Sequence, residues 1–81
     1  MQLSLTIVSP EETLFDGEVM SVQVPGVLGR FEILENHAPI ISSLTSGDIV
    51  YKTKSETSSL GIKNGFVEVQ NNKVMICVEL R

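Results

Sequence analysis

Residues 25–47 read PGVLGRFEILENHAPIISSLTSG, and this stretch decides the fold. Gly26 and Gly29 bracket Val27-Leu28, a two-residue connection that needs a permissive backbone on either side. The run Phe31-Glu32-Ile33-Leu34 has strand length. Asn36-His37-Ala38-Pro39 stops it, because Pro39 removes a backbone donor and biases Ala38 toward extended geometry. Ile40-Ile41 restarts an apolar run that Ser46-Gly47 ends. The segment therefore reads as strand, shaped loop, strand, and its polar groups sit among turn formers rather than in a reactive cluster.

The same period of two extends outward in both directions. Leu3, Leu5 and Ile7 alternate with Gln2, Ser4 and Thr6. Met20, Val22 and Val24 alternate with Ser21 and Gln23, and Val67 and Val69 with Phe66, Glu68 and Gln70. Residues 48–55 form a more polar strand, with Ile49 and Tyr51 on one face and Lys52 and Lys54 on the other. Val74, Ile76, Val78 and Leu80 alternate with Met75, Cys77 and Glu79, so the last strand is apolar on both sides for part of its length. Residues 55–58 read as a polar turn. Lys63-Asn64-Gly65 and Asn71-Asn72 also read as turns, since Asn and Gly tolerate positive φ. Pro10-Glu11-Glu12-Thr13 is long enough for one helical turn at most. No window of about twelve residues carries a helical stripe, and turns every eight to twelve residues or so indicate a β-sandwich or barrel.

At 81 residues the chain makes a single domain, residues 1–81, that buries roughly 60–65% of its unfolded surface. An apolar fraction of 42% supports a packed core and excludes a disordered chain. The net charge of −4 is scattered, with no basic run. A nucleic-acid surface and direct binding to an anionic membrane are therefore disfavoured. No apolar run approaches the roughly 20 residues of a spanning helix. The start, Met1-Gln2-Leu3-Ser4, lacks a secretory pattern, and Met1 reads as a natural start. Cys77 is the only cysteine, which excludes an internal disulfide. Its apolar neighbours predict a buried, reduced thiol acting as a small hydrophobe.

Catalytic and metal constellations do not assemble. His37 is the only histidine, and with Glu35 nearby it still lacks the three or four ligands of a zinc site. Its expected role, with Pro39, is to shape the loop. Ser42 or Ser43, His37 and Asp48 give a triad only on paper, with no nucleophile elbow or helix terminus to supply an oxyanion site. Glu11-Glu12 and Glu32/Glu35 read as solvated carboxylates. Residues 26–29 lack the lysine and hydroxyl of a nucleotide loop. No cofactor is expected.

The ordered set Pro25-Gly26, Gly29, Phe31 to Leu34, His37-Ala38-Pro39, Ile40-Ile41 through Leu44, and Gly47 resembles the N-terminal domain of the epsilon subunit of bacterial F-type ATP synthases. Residues 7–11 and 14–19 resemble that family's opening, and residues 65–69 with 72–74 its closing hairpin. The resemblance implies an all-β, flattened sandwich of roughly ten short strands. In the family a two-helix hairpin follows the sandwich; here Arg81 stands where it would begin, so that hairpin is expected to be absent. The resemblance further implies a non-catalytic rotor component that links the gamma subunit to the c-subunit ring and supports coupling of proton flow to ATP synthesis. It would lie peripherally on the cytoplasmic face of the bacterial plasma membrane, without inserting into it. Carried over by position, the ring contact is Leu28, Gly29, Arg30, Phe31 and Glu32. The chain departs from the family pattern there: the residue after the turn glycine is often acidic and is Arg30 here, and Glu32 replaces a further glycine. The alternative from another class is a free-standing β-sandwich adaptor for a peptide or protein. That reading predicts one small groove, whereas a rotor part predicts a larger apolar patch.

Overall fold

The computed structural model describes residues 2–81; Met1, read above as a natural start, lies outside them. Every regular element among the described residues is a strand: β1 (Leu3–Val8), β2 (Thr13–Val19), β3 (Ser21–Gly26), β4 (Gly29–Ile33), β5 (Ile40–Leu44), β6 (Gly47–Lys52), β7 (Thr57–Gln70) and β8 (Lys73–Leu80). The hydrogen-bonded order is β2-β1-β8-β7-β5-β3-β4, and β6 pairs with both β3 and β7. β1 and β8 run parallel; β7 runs antiparallel to β5, β6 and β8.

The 14-residue β7 explains how one continuous ladder makes two layers. Its first half pairs with β6 from Thr57 to Ile62. Its second half pairs with β5 from Gly65 onward and with β8 from Ile62 onward. Between them the β7–β8 register shifts, between Ile62 and Asn64, and such a bulge bends a strand. The ladder folds over at this point, and β6 closes it against β3. The resulting body measures 31 × 25 × 19 Å, the flattened shape of a sandwich.

Alternation decides what lies inside. Leu3, Leu5 and Ile7 of β1, Val74, Ile76 and Val78 of β8, and Val67 and Val69 of β7 meet Val22, Val24, Ile33 and Ile49 from the opposite layer in one buried cluster. Each such side chain contributes about 1.5–3 kcal/mol by leaving water. Phe15 and Tyr51 close one margin between β2 and β6, with ring centroids 4.5 Å apart.

Several expectations change. The eight strands agree with the expected all-β sandwich of roughly ten short strands, but Lys63-Asn64-Gly65 is not a turn; it is the bulge within β7. A Cβ at Gly65 would collide with the Cys77 carbonyl and crowd Val78, so this glycine serves close strand approach rather than reversal. Asn71 and Asn72 do form a two-residue turn, with φ of 51° and 61°, as the primed hairpin turn requires. Met20 does not share the inward set of Val22 and Val24; it sits between β2 and β3 and is exposed. The polar strand ends at Lys52, and its turn spans residues 53–56. There the Thr53 and Glu56 backbones bond, N to O, at 2.8 Å. Residues 9–12 form no helical turn; the Ser9 amide donates to the Glu12 carbonyl at 2.8 Å. Cys77 is half-buried rather than buried, because it lies on the outward side of β8.

Candidate functional site

The tip joining β3 and β4 is built by its two glycines. Val22 to Gly26 pair with Ile33 to Gly29, so only Val27 and Leu28 lie outside the ladder. Neither adopts positive φ; Gly29, at φ +134°, absorbs the turn. Gly26 provides a seat for Phe31, since a Cβ there would lie 2.9 Å from the Phe31 ring and 2.7 Å from the Gly29 carbonyl. Phe31 is thereby half-buried and packs against the core. Of the five residues expected at this contact, Leu28, Gly29, Arg30 and Glu32 face solvent and Phe31 turns inward.

The hairpin is also braced from the side. The Val27 amide donates to the Ser43 carbonyl at 3.1 Å and the Thr45 amide to the Pro25 carbonyl at 2.8 Å. Pro25 is buried and lies against Gly47, within 3.0 Å of where a Cβ would stand. The tip therefore projects from a stiff base, with Leu28 fully exposed at 101%.

Loop 34–39 follows directly. The His37 amide donates to the Leu34 carbonyl at 3.1 Å, and its Nδ1 donates to the Ala38 carbonyl at 2.7 Å. Its ring lies 6.5 Å from that of Phe31, tilted by 33°. Pro39 is exposed and leads into β5. Sequence reasoning missed the third participant. Asn72, in the distant β7–β8 turn, accepts a hydrogen bond from the Asn36 amide at 2.6 Å and donates from Nδ2 to Asn36 Oδ1 at 3.2 Å. The only available signal was the amide side chain itself, since a turn needs only φ tolerance at that position.

The groups that made a triad on paper have separate partners. Ser42 Oγ donates to its neighbour's carbonyl, His37 to Ala38, and Asp48 accepts from Arg81 at 2.9 Å. Among the described residues no group of three or more His, Cys, Asp or Glu side chains is placed to hold a metal ion.

A second surface lies on the outer side of β5, β7 and β8. Cross-strand register sets Ile41 beside Glu68 and Met75, and Ser43 beside Phe66 and Cys77. Ile41 is 73% exposed, Phe66 46% and Met75 42%. At one end of this face Val8, Ser9, Pro10, Phe66 and Cys77 line an open cleft of about 440 Å³. The two-sided apolar character of β8 is thus one buried side and one side that faces out.

The β-sandwich thus presents two exposed surfaces, exposed apolar side chains on one sheet face and a projecting tip, of the kind found where proteins contact one another. The chain belongs to the family described as "ATP synthase, Delta/Epsilon chain, beta-sandwich domain", whose model matches residues 2–80. It is 40% identical to the ATP synthase epsilon chain of Chlorobium limicola, over 93% of this chain and 86% of that one. It is 38% identical to that of Caulobacter vibrioides, over 96% and 91%. The epsilon chain of Leptospira borgpetersenii is 37% identical over 96% of this chain, and this chain spans only 61% of its length. The fold is also that of a chain in the Euglena gracilis mitochondrial ATP synthase (TM-score 0.89, 20% identity, covering 95% of this chain and 50% of that chain).

Proposed function

We propose that this chain is the sandwich domain of a central-stalk subunit of a proton-translocating F-type ATP synthase. It catalyses nothing. It links the gamma subunit to the c-subunit ring, peripheral to the cytoplasmic face of a bacterial plasma membrane. Torque passed between ring and stalk must not be absorbed by internal deformation, and a close-packed sandwich with short turns resists deformation. Family membership supports the reading, and so does the presence of a similar fold in the central stalk and c-ring of the Tetrahymena thermophila enzyme (TM-score 0.82, 17% identity, 98% of this chain and 64% of that chain).

The observation that carries it is the pairing of two separate exposed surfaces on one rigid body. The outer face with Ile41, Phe66 and Met75 is the gamma-facing surface; the Leu28–Glu32 tip is the ring-facing one. An adaptor would need one groove. A stable gamma contact should bury about 1,200–2,000 Å² in total. Calorimetric titration of this chain against the cognate gamma subunit should give micromolar binding or better. No heat together with no co-elution would overturn the assignment.

A further inference from the structure

The tip carries side chains that its backbone does not require. Two-residue hairpin turns favour Asn, Asp and Gly, because their central residues usually need positive φ. Here Gly29 takes that burden at φ +134°, which frees positions 27 and 28 for any residue. They are filled by valine and leucine, with Leu28 101% exposed. A single exposed apolar side chain is ordinary. This one stands at the apex of a hairpin whose base is locked by the Val27–Ser43 and Thr45–Pro25 backbone bonds and by Phe31 seated over Gly26. An apolar group held on a rigid support loses little conformational freedom on binding. Arg30 stands beside it on the exposed start of β4 and has no hydrogen bond or ion pair among the described residues.

We infer that Leu28 is an apolar plug and Arg30 its charged rim, so that this tip docks into a protein surface with a small apolar recess bordered by a carboxylate. The inference rests on the reading that the tip meets the c-subunit ring and states what the loops of that ring must offer. Leu28 supplies most of the affinity, because it passes from full exposure to burial. Arg30 supplies orientation and a salt-dependent increment, because a rim charge is screened while an apolar contact is not.

The test measures binding of the full chain, held on its gamma subunit, to the detergent-solubilised cognate c-ring at about 50 mM and 500 mM salt, conditions that span strong changes in screening. Leu28→Ser should weaken ring binding by about ten- to a hundredfold at both salts, the loss that burial of one leucine predicts. Leu28→Met, which keeps the volume, should stay within about threefold. Arg30→Ala should weaken binding by a few-fold at the lower salt only. Melting temperatures should not move, which separates docking from folding. Wild-type affinity in Leu28→Ser beside a wild-type chain that does bind the ring would overturn the plug and leave the ring contact standing. Unchanged binding of Arg30→Ala at low salt would overturn the acidic rim. A wild-type chain that binds gamma but not the ring would overturn the ring contact itself, and the plug with it.

Discussion

Asn36 and Asn72 hold each other across 36 residues of chain by two hydrogen bonds, at 2.6 and 3.2 Å. Both have positive φ, 67° and 61°, so each is a turn residue whose side chain also reaches the other's turn. Asn72 is 6% exposed, and its carbonyl accepts from the Ser4 amide at 2.9 Å. One residue thus joins the His37 loop, the β7–β8 turn and the start of β1.

Replacing Asn72 tests this clasp in two parts. Asn72→Gly keeps the backbone conformation and removes the side chain, and with it two part-buried hydrogen bonds to Asn36, at about 0.5–1.5 kcal/mol each. Asn72→Ala adds the penalty of a Cβ at positive φ, a further 1–2 kcal/mol or so. Urea denaturation should rank the variants in that order, and about 1 kcal/mol corresponds to a melting shift of roughly 4–8 °C in a domain of this size. A glycine variant as stable as wild type would mean that the clasp contributes nothing.

Gly65→Ala should be among the most damaging small changes. The added methyl collides with the Cys77 carbonyl and crowds the Val78 backbone and side chain, neither of which moves without opening the β7–β8 ladder. Overpacking of this kind costs about 1–3 kcal/mol. Asn64→Ala, next door, removes one exposed hydrogen bond to Glu79 and should stay within about 0.5 kcal/mol. Equal denaturation midpoints for the two variants would show that the bulge tolerates a side chain.

That contrast also shows where the sequence was legible. Alternation in 3–7, 22–24 and 67–69 named inward residues correctly, because sheet side chains point up and down in strict turn. Gly26 and Gly29 named the tip, because a two-residue connection leaves few alternatives. Lys63-Asn64-Gly65 misled, because Asn and Gly suit a turn and a bulge equally. What decides is the Cys77 carbonyl on another strand, which no local pattern contains. Cys77 misled for a related reason. In a run apolar on both sides, alternation gives two faces but not which of them is covered. The Asn36–Asn72 clasp was out of reach altogether, since it depends on two loops meeting after the sandwich has closed.

The outer face should bind without holding up the fold. Phe66→Ser removes a half-exposed ring from the patch and should change stability by about 1 kcal/mol or less, the usual span of strand propensities. If this face meets gamma, the same change should cost about 2 kcal/mol of affinity, as buried aromatic anchors do, or roughly thirtyfold in Kd. Lys54→Ser, in the β6–β7 turn away from the patch, serves as the control. Isothermal titration with gamma should separate the two; equal affinities would place the gamma contact elsewhere on the body.

Reversing the charge at the tip tests coupling rather than binding alone. Arg30 lies on the exposed start of β4, opposite Pro25 in the ladder, and folding draws nothing from its charge. Arg30→Glu should therefore leave the melting temperature of the domain unchanged. Against a ring surface suited to a cation, the new carboxylate repels. A rim pair is worth about 0.2–1 kcal/mol while exposed, and more where the interface excludes water. If the tip meets the ring, that repulsion loosens the ring from the stalk, and protons pass with less torque delivered. Proton-driven ATP synthesis in reconstituted vesicles should fall in the variant, and fall further at low salt, where screening is weakest. The comparison needs wild type and variant at two salt concentrations with the same imposed proton gradient. Equal rates at both salts would mean that Arg30 does not face the ring, and the ring-facing surface would have to be sought away from this hairpin.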